Sequence, residues 1–354
     1  MINEFVTKKF AECNLNDKFF DSLRDDYDGF DDWFRRNADR EALVFEEGGM
    51  IQAFLSLKEE YNEAIELSSS TTPRENRLKI STLKISQATS GKRIGEGVIG
   101  LALWQWQKSN LDYIYITVFP KQELLISQLS KYGFKPLGTK ENGELVYQRS
   151  KKGIDYSNPF TCFPFVNPEF VEAGIIPIEA QYHDTLFPHS KLKNTEQEIE
   201  KIAAANGLKK VFLATPYTMI DYPEGSPTLI YRISDKGPRQ YTSVVTSSCS
   251  IVDVTTIKLN NIKLKTYDEF LKTVGNRSVY SNDELEKKYK QQNLFVITLL
   301  YNVYFGEGNN VNYKTLKEMG VWGEGHPYQV KMSKNDFIRV LEEAKINVQN
   351  VIID

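Results

Sequence analysis

The sequence predicts an α+β protein with two domains, in which a mixed sheet with flanking helices is followed by a β-barrel. Three observations support this fold class. The chain has 354 residues, which is more than one hydrophobic core usually serves. Short helical patterns alternate with strand patterns in the first half, whereas longer strand-like runs dominate the second half. The polar stretch from Ser150 to Pro159 separates the two patterns, so we expect domains at 1–150 and 151–354.

Composition narrows the possible classes of protein. Hydrophobic residues make up 41% and charged residues 26% of the chain, and no apolar run approaches the roughly 20 residues of a membrane span. The net charge is −3, and neither half is strongly basic. The charge distribution therefore does not predict tight binding to a phosphate backbone. We therefore expect a soluble protein without a membrane partner, whose oligomeric state the composition leaves open.

Cysteine and histidine usage indicates the compartment and argues against a metal. Cys13, Cys162 and Cys249 are far apart, and none belongs to a Cys-x-x-Cys pair. Such thiols are typical of a reduced, cytoplasmic protein. Lys8 and Lys9 stand where a signal peptide would be apolar, which favours the same location. The three histidines show no metal-ligand spacing, so we expect no metal site.

The first predicted elements are short helices and a hairpin. Aromatic residues recur at helical spacing from Phe19 to Phe34, and aspartates fill polar positions from Asp25 to Asp32. We interpret the aspartates as a solvated helix face, although they could also bind a cation or a basic substrate. Strand patterns follow at Glu41–Glu47 and Met50–Glu59, and Gly48-Gly49 between them favours a tight turn.

The third predicted strand, Arg77–Ser86, contains a change of phase. Leu78 and Ile80 alternate, and then Leu83 and Ile85 alternate in the opposite phase. A slip of one residue within a strand is the sequence signature of a β-bulge, which bends the strand.

A glycine-containing turn and a helical pattern follow this strand. The turn reads Ser90-Gly91-Lys92-Arg93-Ile94-Gly95-Glu96-Gly97, and the helical pattern runs from Val98 to Trp106. The later expected elements are an apolar strand at Leu111–Phe119, a helix at Gln122–Tyr132 and a closing hairpin at Phe134–Thr139 and Glu144–Arg149.

The second half has the pattern of a small β-barrel with added helices. Its expected strands are Ile175–Ile178, Val211–Thr215, Thr228–Ile233, Tyr241–Val254 and Leu294–Tyr304. Its expected helices are Thr195–Ala205, Ser281–Lys290 and Ser333–Ala344. The last two begin with a serine followed three positions later by an acidic residue, which satisfies free amides at a helix start.

The glycine-containing turn is the best candidate for binding chemistry. A strand, a turn and a helix start present several backbone N–H groups at the positive end of a helix dipole, which favours phosphate oxygens. Gly95 and Gly97 leave room for close approach. Taken alone, the pattern also fits an ordinary strand-to-helix turn.

The order of elements resembles the GNAT acetyltransferase family over roughly residues 17–150. The turn Lys92–Gly97 matches the family form Arg/Gln-x-x-Gly-x-Gly/Ala at both glycines, and Lys92 departs at the first position. The later helix ends in Lys131-Tyr132-Gly133-Phe134, where the family has a Leu-Gly-Phe-like sequence. The resemblance implies an acyltransferase that uses acetyl-CoA as co-substrate. It implies that the pantetheine arm pairs with Leu83, Lys84 and Ile85 and that the pyrophosphate lies at Lys92, Arg93, Ile94, Gly95, Glu96, Gly97 and Val98.

Catalytic groups are less visible in the sequence. In the family, a tyrosine often lies five residues before the phenylalanine of the Gly-Phe pair and protonates the departing thiolate, but this chain has Leu129 there. Tyr132 is a nearby substitute, and Glu59 and Glu60 at a strand end are candidate general bases. The alternative, which the residues favour, is that each of the three is structural.

The second half resembles the ASCH and PUA-like domains, small β-barrels that are often associated with RNA or modified bases. The likeness rests on GIIPIEAQYHDTLFPHSK at Gly174–Lys191, on Leu229–Arg232, on Ser243–Ser247 and on the closing HPYQVKMSKNDF. The Gly-x-Lys-x-x-Glu-x-Arg element expected after the first strand survives only as Lys191. The candidate RNA contacts are Lys191, Arg232, Arg239 and Tyr241, because cations meet phosphates and bases stack on aromatic rings. A mixed-charge surface over a barrel core is the alternative.

Together these features predict a cytoplasmic, acetyl-CoA-dependent N-acetyltransferase with an RNA-associated substrate, such as an aminoacyl-tRNA or an RNA-bound protein. The alternative is a non-catalytic protein that senses acyl-CoA and binds nucleic acid. Leu129 in the place of a tyrosine is the feature that keeps this alternative open.

Overall fold

The computed structural model describes residues 5–193 and 203–353, and the chain divides into two units, 1–153 and 154–354. Within these described residues, each unit is built on one mixed sheet, with seven strands in the first and eight in the second. The expected α+β fold class is confirmed. None of the helices in the described parts of the chain has the length and apolar character that a membrane crossing demands.

The first unit follows the predicted order of elements. Its strands are β1 (Val6–Lys9), β2 (Glu41–Glu47), β3 (Met50–Glu63), β4 (Glu75–Ile85), β5 (Tyr113–Val118), β6 (Lys135–Thr139) and β7 (Leu145–Ser150). Its helices are α1 (Asp21–Asp26), α2 (Phe30–Arg36), α3 (Ile94–Lys108) and α4 (Glu123–Lys131).

The β2–β3 hairpin and an aromatic core hold one end of this sheet. Gly48 and Gly49 have φ angles of 62° and 78°, which residues other than glycine rarely adopt, so the predicted tight turn is confirmed. Phe10, Phe34 and Phe54 pack together with ring centroids between 4.6 and 6.0 Å apart. This cluster fixes the α1–α2 segment against β3.

Strand β4 carries the predicted bulge. Ser56 faces Thr82 and Leu57 faces Ile80, so Ser81 is an extra residue on β4. Strands β4 and β5 run parallel, and their pairing ends at Ile80 and Ile116. Among the described residues, β4 continues beyond this point with a ladder to β3 alone, while β5 continues with β7. The two strands therefore diverge, and a cleft opens between their carboxyl ends.

The second unit contains the remaining elements. Its strands are β8 (Ala173–Glu179), β9 (Lys209–Ala214), β10 (Pro227–Ile233), β11 (Val244–Leu259), β12 (Ile262–Lys263), β13 (Leu294–Tyr304), β14 (Val311–Asn312) and β15 (Lys331–Met332). Its helices are α5 (Pro159–Cys162), α6 (Ala180–Leu186), α7 (Ala203–Asn206), α8 (Arg239–Thr242), α9 (Tyr267–Val274), α10 (Asn282–Tyr289), α11 (Tyr313–Glu318) and α12 (Lys334–Glu343).

The second sheet is mixed but open, so the expectation of a closed barrel is wrong for the described residues. The strand order is β15-β8-β10-β11-β13-β9, and β8 runs parallel to β10. Three register shifts between β11 and β13 bend the sheet. Strand β15 has two residues and pairs with β8 over two positions, so within residues 5–193 and 203–353 it does not reach β9 to close the sheet.

The helix starts of the second unit agree with the sequence. Ser281 and Glu284 form the predicted capping box, in which the serine amide donates to the glutamate at 2.8 Å. Ser333 caps α12, and its hydroxyl accepts a hydrogen bond from the amide of Asp336 at 3.2 Å. Most of the helix expected at Thr195–Ala205 lies outside the described residues, and its last residues belong to α7.

Candidate functional site

The glycine-containing turn leads directly into helix α3. Arg93 precedes the helix in the left-handed region with φ 58°, and the amide of Gly97 donates to the carbonyl of Arg93 at 3.3 Å. The amides of Ile94 and Gly95 therefore point out of the helix start, at the positive end of its dipole. Gly97 and Val98 already lie inside the helix, so the donor set available to an anion is shorter than the expected Arg93–Val98.

The two cations of the turn have acidic partners. Lys92 Nζ lies 2.9 and 2.6 Å from the carboxylate oxygens of Glu47, and both side chains are partly exposed. Arg93 Nη2 donates to Glu96 Oε2 at 2.6 Å in a nearly buried pair. Exposed ion pairs contribute little stability, so Lys92 can exchange Glu47 for a phosphate, whereas Arg93 is held in place.

Tyr132 is connected to the turn through a hydrogen bond to Glu96. It is fully buried, and its hydroxyl donates to Glu96 Oε1 at 2.7 Å. Burial raises the pKa of Tyr132 well above its usual value, and the charge of Glu96 adds to this rise. Burial would also raise the pKa of Glu96, but the Arg93 charge and the Tyr132 hydrogen bond bring it below its usual value. Tyr132 thus keeps its proton directed at Glu96, which disagrees with a role as proton donor to a thiolate.

The free edge of β4 meets this turn. Leu83 and Ile85 pair with Leu55 and Ala53 of β3 on one side, and their other edge faces the cleft. A Cβ placed on Gly95 would lie 3.4 Å from Ile85 Cδ1, so the strand end and the helix start are in contact distance. The structure therefore brings together the β4 residues and the turn residues that the sequence singles out.

A buried carboxylate lies beside the open end of β5. Glu144 Oε1 accepts hydrogen bonds from the Tyr27 hydroxyl at 2.6 Å and from Thr117 Oγ1 at 3.0 Å. Asn142 Nδ2 donates to the second oxygen at 2.9 Å. Burial would raise the pKa of Glu144, but these hydrogen bonds and the charge of Lys140 lower it below its usual value. Glu144 is therefore an ionised carboxylate at neutral pH.

Glu60 lies farther along the same face of the sheet. It accepts a hydrogen bond from the Tyr115 hydroxyl at 2.6 Å and one from Lys58 Nζ at 3.0 Å, and Lys79 Nζ lies 3.7 Å away. Burial would raise its pKa, but these partners lower it. Tyr115 and Thr117 are two residues apart on β5 and so point to the same side. Glu59, by contrast, is exposed and bonds to Tyr61.

Sequence reasoning named Glu60 but missed Glu144, Tyr27 and Thr117. A partial signal for Glu144 is the Asn142-Gly143 turn, since a hairpin turn places the residue after it beside the end of the neighbouring strand. Its bond to Tyr27 has no local signal, because 117 residues separate the two.

Leu129 is also in the core. It is fully buried, so the site at which the resemblance expects a tyrosine is filled by an apolar side chain. The described residues contain no group of histidine, cysteine and carboxylate side chains that could hold a metal ion.

Arg232 lies in the interior of the second unit and not at its surface, where the expected RNA contact would require it. Arg232 is buried and bonds Asp184 through two contacts, Nε to Oδ1 at 2.7 Å and Nη2 to Oδ2 at 2.8 Å. Its strand, β10, lies between β8 and β11, which withdraws this side chain from solvent. The prediction that Arg232 contacts RNA is therefore wrong. Lys191, Arg239 and Tyr241 are exposed, and Lys314 Nζ lies 5.6 Å from the Tyr241 ring centroid.

Comparisons with known proteins give partial likenesses. No family model and no curated protein matches the chain. NAA60 from Arabidopsis thaliana, solved with a bisubstrate analogue, is 12% identical; the match covers 41% of this chain and 97% of that one, with a TM-score of 0.31. The PaiA N-acetyltransferase from Thermoplasma acidophilum, solved with coenzyme A, is 16% identical over 40% of this chain and 83% of that one, with a TM-score of 0.27.

The similar structures also include an ASCH protein. ASCH from Zymomonas mobilis is 11% identical; the match covers 48% of this chain and 94% of that one, with a TM-score of 0.32. N-acetyltransferases and ASCH proteins are thus both among the structural neighbours. Since these TM-scores are below 0.5, the function proposed below rests on the residues of the cleft.

Proposed function

We propose that the first unit is an acetyl-CoA-dependent N-acetyltransferase. The observation that carries this proposal is the divergence of β4 and β5 beyond Ile80 and Ile116, beside a helix start with outward-pointing amides. An extended pantetheine arm can add to the open edge at Leu83–Ile85 as a further strand would. The pyrophosphate would then lie against the amides of Ile94 and Gly95, where the helix dipole favours negative charge.

The acetyl transfer follows from the groups at the mouth of the cleft. A neutral amine attacks the thioester carbonyl carbon; the N–C bond forms, the C–S bond breaks, and coenzyme A leaves as the thiolate. The oxyanion accepts a hydrogen bond from a backbone amide of the bulged strand. The proton of the amine passes to Glu144, directly or through one water, because this carboxylate is ionised and lies at the open end of β5. Leu129 supplies no proton, so the thiolate is protonated from solvent.

A thermal melt of the full chain with acetyl-CoA tests the proposal. A ligand that binds only the folded state must raise the melting temperature. Gly95→Val should abolish this shift, since Gly95 lies in the first turn of α3 and a β-branched side chain there adds bulk beside the amides that would hold the pyrophosphate. Gly323→Val is the matched control, because a Cβ there meets nothing within 4 Å of the described chain. No shift at ligand concentrations well above micromolar would contradict acetyl-CoA binding.

A second function has one observation in its favour. Leu129 fills the expected tyrosine position, and Tyr132 is engaged by Glu96, so the protein could sense acyl-CoA without transferring the acyl group. Transfer of radiolabelled acetyl to a panel of amines separates the two functions. Binding of acetyl-CoA without any transfer to free amines, basic peptides or aminoacyl-tRNA would favour the sensor.

The proposal extends to an RNA-associated acceptor in the cytoplasm. Its support is the exposed set Lys191, Arg239 and Tyr241, together with buried thiols at all three cysteines. If phosphate contacts contribute, binding of total tRNA to the full chain should weaken as salt rises, with a modest slope. Replacing Lys191 and Arg239 by alanine should flatten that slope. Folded protein that does not bind tRNA at low salt would remove RNA from the proposal and leave the acyl chemistry intact.

A further inference from the structure

Two lysines of the first unit lie directly opposite each other on neighbouring strands. Lys58 of β3 pairs in register with Lys79 of β4, and Lys79 pairs with Tyr115 of β5. Like charges that oppose each other in a sheet are unfavourable. Lys79 comes one residue before Ile80, where the pairing of β4 with β5 ends. This lysine therefore lies beside the opening of the cleft, where the acetyl group would be transferred.

Glu60 holds Lys58 more closely than it holds Lys79. Glu60 Oε1 accepts a hydrogen bond from Lys58 Nζ at 3.0 Å, and Oε2 accepts one from the Tyr115 hydroxyl at 2.6 Å. Lys79 Nζ lies 3.7 Å from Glu60 Oε1, which is longer than a hydrogen bond, and no other carboxylate of the described residues lies within 4 Å of it. The Lys79 side chain is 27% exposed, so a small molecule can reach its amine.

The charges around Lys79 do not offset its burial. Burial lowers the pKa of Lys79. The charge of Glu60 opposes this change, the charges of Lys140 and Lys58 add to it, and the charge of Glu144 opposes it more weakly. An anion bound at this amine would therefore stabilise its protonated form.

Lys79 and Glu144 lie on the same face of the sheet, a short distance apart. Lys79 Nζ is 5.5 Å from the ring centroid of Tyr115, whereas Glu144 Oε1 accepts the hydrogen bond of Thr117. Tyr115 and Thr117 are two residues apart on β5, which corresponds to about 7 Å along the strand. If the amine of an acceptor lies at Glu144, as the proposed reaction requires, a group a few bonds from that amine can therefore reach Lys79.

The neighbouring Glu60 determines which kind of anion suits this position. Burial would raise the pKa of Glu60, but its hydrogen bonds and the lysine charges lower it, so the carboxylate is ionised at neutral pH. A doubly charged phosphate at Lys79 would meet this negative charge, because Glu60 Oε1 is 3.7 Å from the amine. A carboxylate carries a single charge and accepts hydrogen bonds with both oxygens. The position therefore favours a carboxylate.

We propose that the acetyl acceptor is a primary amine with a carboxylate carbon two to four bonds from its nitrogen, and that Lys79 binds this carboxylate while the amine faces Glu144. This chemistry occurs in a free amino acid and in an acidic residue at the N-terminus of a polypeptide. The inference rests on the proposed acetyl transfer, because it names the acceptor of that reaction, and it is independent of RNA binding.

Binding of matched acids and amides to the full chain tests the inference. The pairs are glycine and glycinamide, β-alanine and β-alaninamide, and two tripeptide amides that begin with aspartate or asparagine. Saturation-transfer NMR measures their affinities with and without coenzyme A, and a transfer assay with acetyl-CoA measures kcat/KM. Because a hydrogen bond between charged groups is strong, we expect at least one acid to bind about tenfold more tightly than its amide and to have a correspondingly higher kcat/KM.

Substitution of Lys79 tests the assignment of the carboxylate site. Lys79→Met removes the charge and keeps the length of the side chain, so the preference for the acid should fall to within about twofold. Lys79→Arg should retain most of the preference, because it keeps the charge. Lys135→Met is the matched control, since Lys135 is exposed on β6, and it should leave the preference unchanged. A thermal melt of each variant establishes that it is folded.

Three results would overturn the inference. The first is equal affinity for acid and amide in every pair, or no binding of any acid to the folded protein. The second is an undiminished preference in folded Lys79→Met. The third is tighter binding of putrescine or of phosphoethanolamine than of β-alanine, which would indicate a cationic or a phosphorylated acceptor instead.

The remaining outcomes identify the source of the acceptor and separate this inference from the proposed function. A preference for the acid in the glycine or β-alanine pair identifies a free amino acid, and a preference in the tripeptide pair alone identifies a polypeptide N-terminus. A melting temperature that acetyl-CoA does not raise would contradict the proposed function alone, since binding of the acids is also measured without coenzyme A.

Discussion

The two units both contain buried carboxylates with polar partners, but they place them at different points of their sheets. In the first unit, the carboxylates of Glu60 and Glu144 accept hydrogen bonds from tyrosines beside the point where β4 and β5 diverge. In the second unit, Asp184 joins Arg232 and His183 in the interior, where the His183 side chain is fully buried. In the proposed reaction, a carboxylate beside the diverging strands takes a proton from the substrate, whereas the Asp184–Arg232 pair holds α6 against β10. We infer that the carboxylates of the first unit take part in the proposed acetyl transfer. The set of Asp184, Arg232 and His183 stabilises the second unit.

Arg232→Ala tests the stability side and should have the largest effect. It leaves the Asp184 carboxylate buried without its bidentate partner, and breaking such a pair costs about 3 to 5 kcal/mol. The measurement is the free energy of unfolding in denaturant. Arg239→Ala, at an exposed position of the same unit, should change it by less than about 0.5 kcal/mol. Equal losses in the two variants would show that the buried network does not stabilise the unit.

Glu144→Gln tests whether this carboxylate of the first unit takes part in acetyl transfer. If Glu144 takes the proton of the amine, acetyl transfer should fall about 100-fold while the acetyl-CoA melt shift is unchanged. Glu59→Gln is the matched control, since Glu59 is exposed and bonds Tyr61 rather than the cluster. If the variant transfers acetyl at the normal rate, a group other than Glu144 accepts the proton. Glu60, on the same face of the sheet, is then the next candidate.

The pH dependence of stability should distinguish the units. Burial lowers the pKa of His183 in the folded protein, with the Asp184 charge opposing and the Arg232 charge adding to it. The unfolded chain therefore binds this proton first, and stability is lost as pH falls below about 6.5, by at most about 1.4 kcal/mol per pH unit. The pKa values of Glu60 and Glu144 are also lowered, but their contribution is lost only below about pH 4.3.

Tryptophan fluorescence can follow the units separately, because Trp322 is in the second and the other three tryptophans are in the first. We expect the second unit to weaken between pH 6.5 and 5.5, by about 1 kcal/mol, and the first to be insensitive there. His183→Gln should remove this pH dependence, whereas His326→Gln, at an exposed position, should not. A first unit that weakens over the same interval would contradict the contrast.

Local patterns in the sequence predicted those features that depend on a few neighbouring residues. The Gly48-Gly49 hairpin, the phase slip around Ser81 and the capping box at Ser281 are of this kind, because backbone sterics and nearby hydrogen bonds decide them. The Glu144 site and the burial of Arg232 depend on which distant segments the sheets bring together. Charge alone marked Arg232 as a surface residue, and the bidentate carboxylate that permits its burial has no local signature.

Tyr132→Phe should have the smallest effect of these substitutions. It compares, within the first unit, the tyrosine that bonds Glu96 at the turn with the tyrosine that bonds Glu60. The change removes the hydroxyl that donates to Glu96, which in turn holds Arg93 in its left-handed conformation at the helix start. A lost hydrogen bond of this kind is worth about 1 kcal/mol, so KM for acetyl-CoA should rise roughly fivefold. Because Tyr132 does not face the reacting atoms in the proposed reaction, kcat should stay within about twofold. Tyr115→Phe is the matched control, since its hydroxyl serves Glu60 and not the turn, and it should leave KM for acetyl-CoA unchanged. A fall in kcat without a rise in KM would instead make Tyr132 the missing proton donor, and the buried hydrogen bond to Glu96 would then have to open during each turnover.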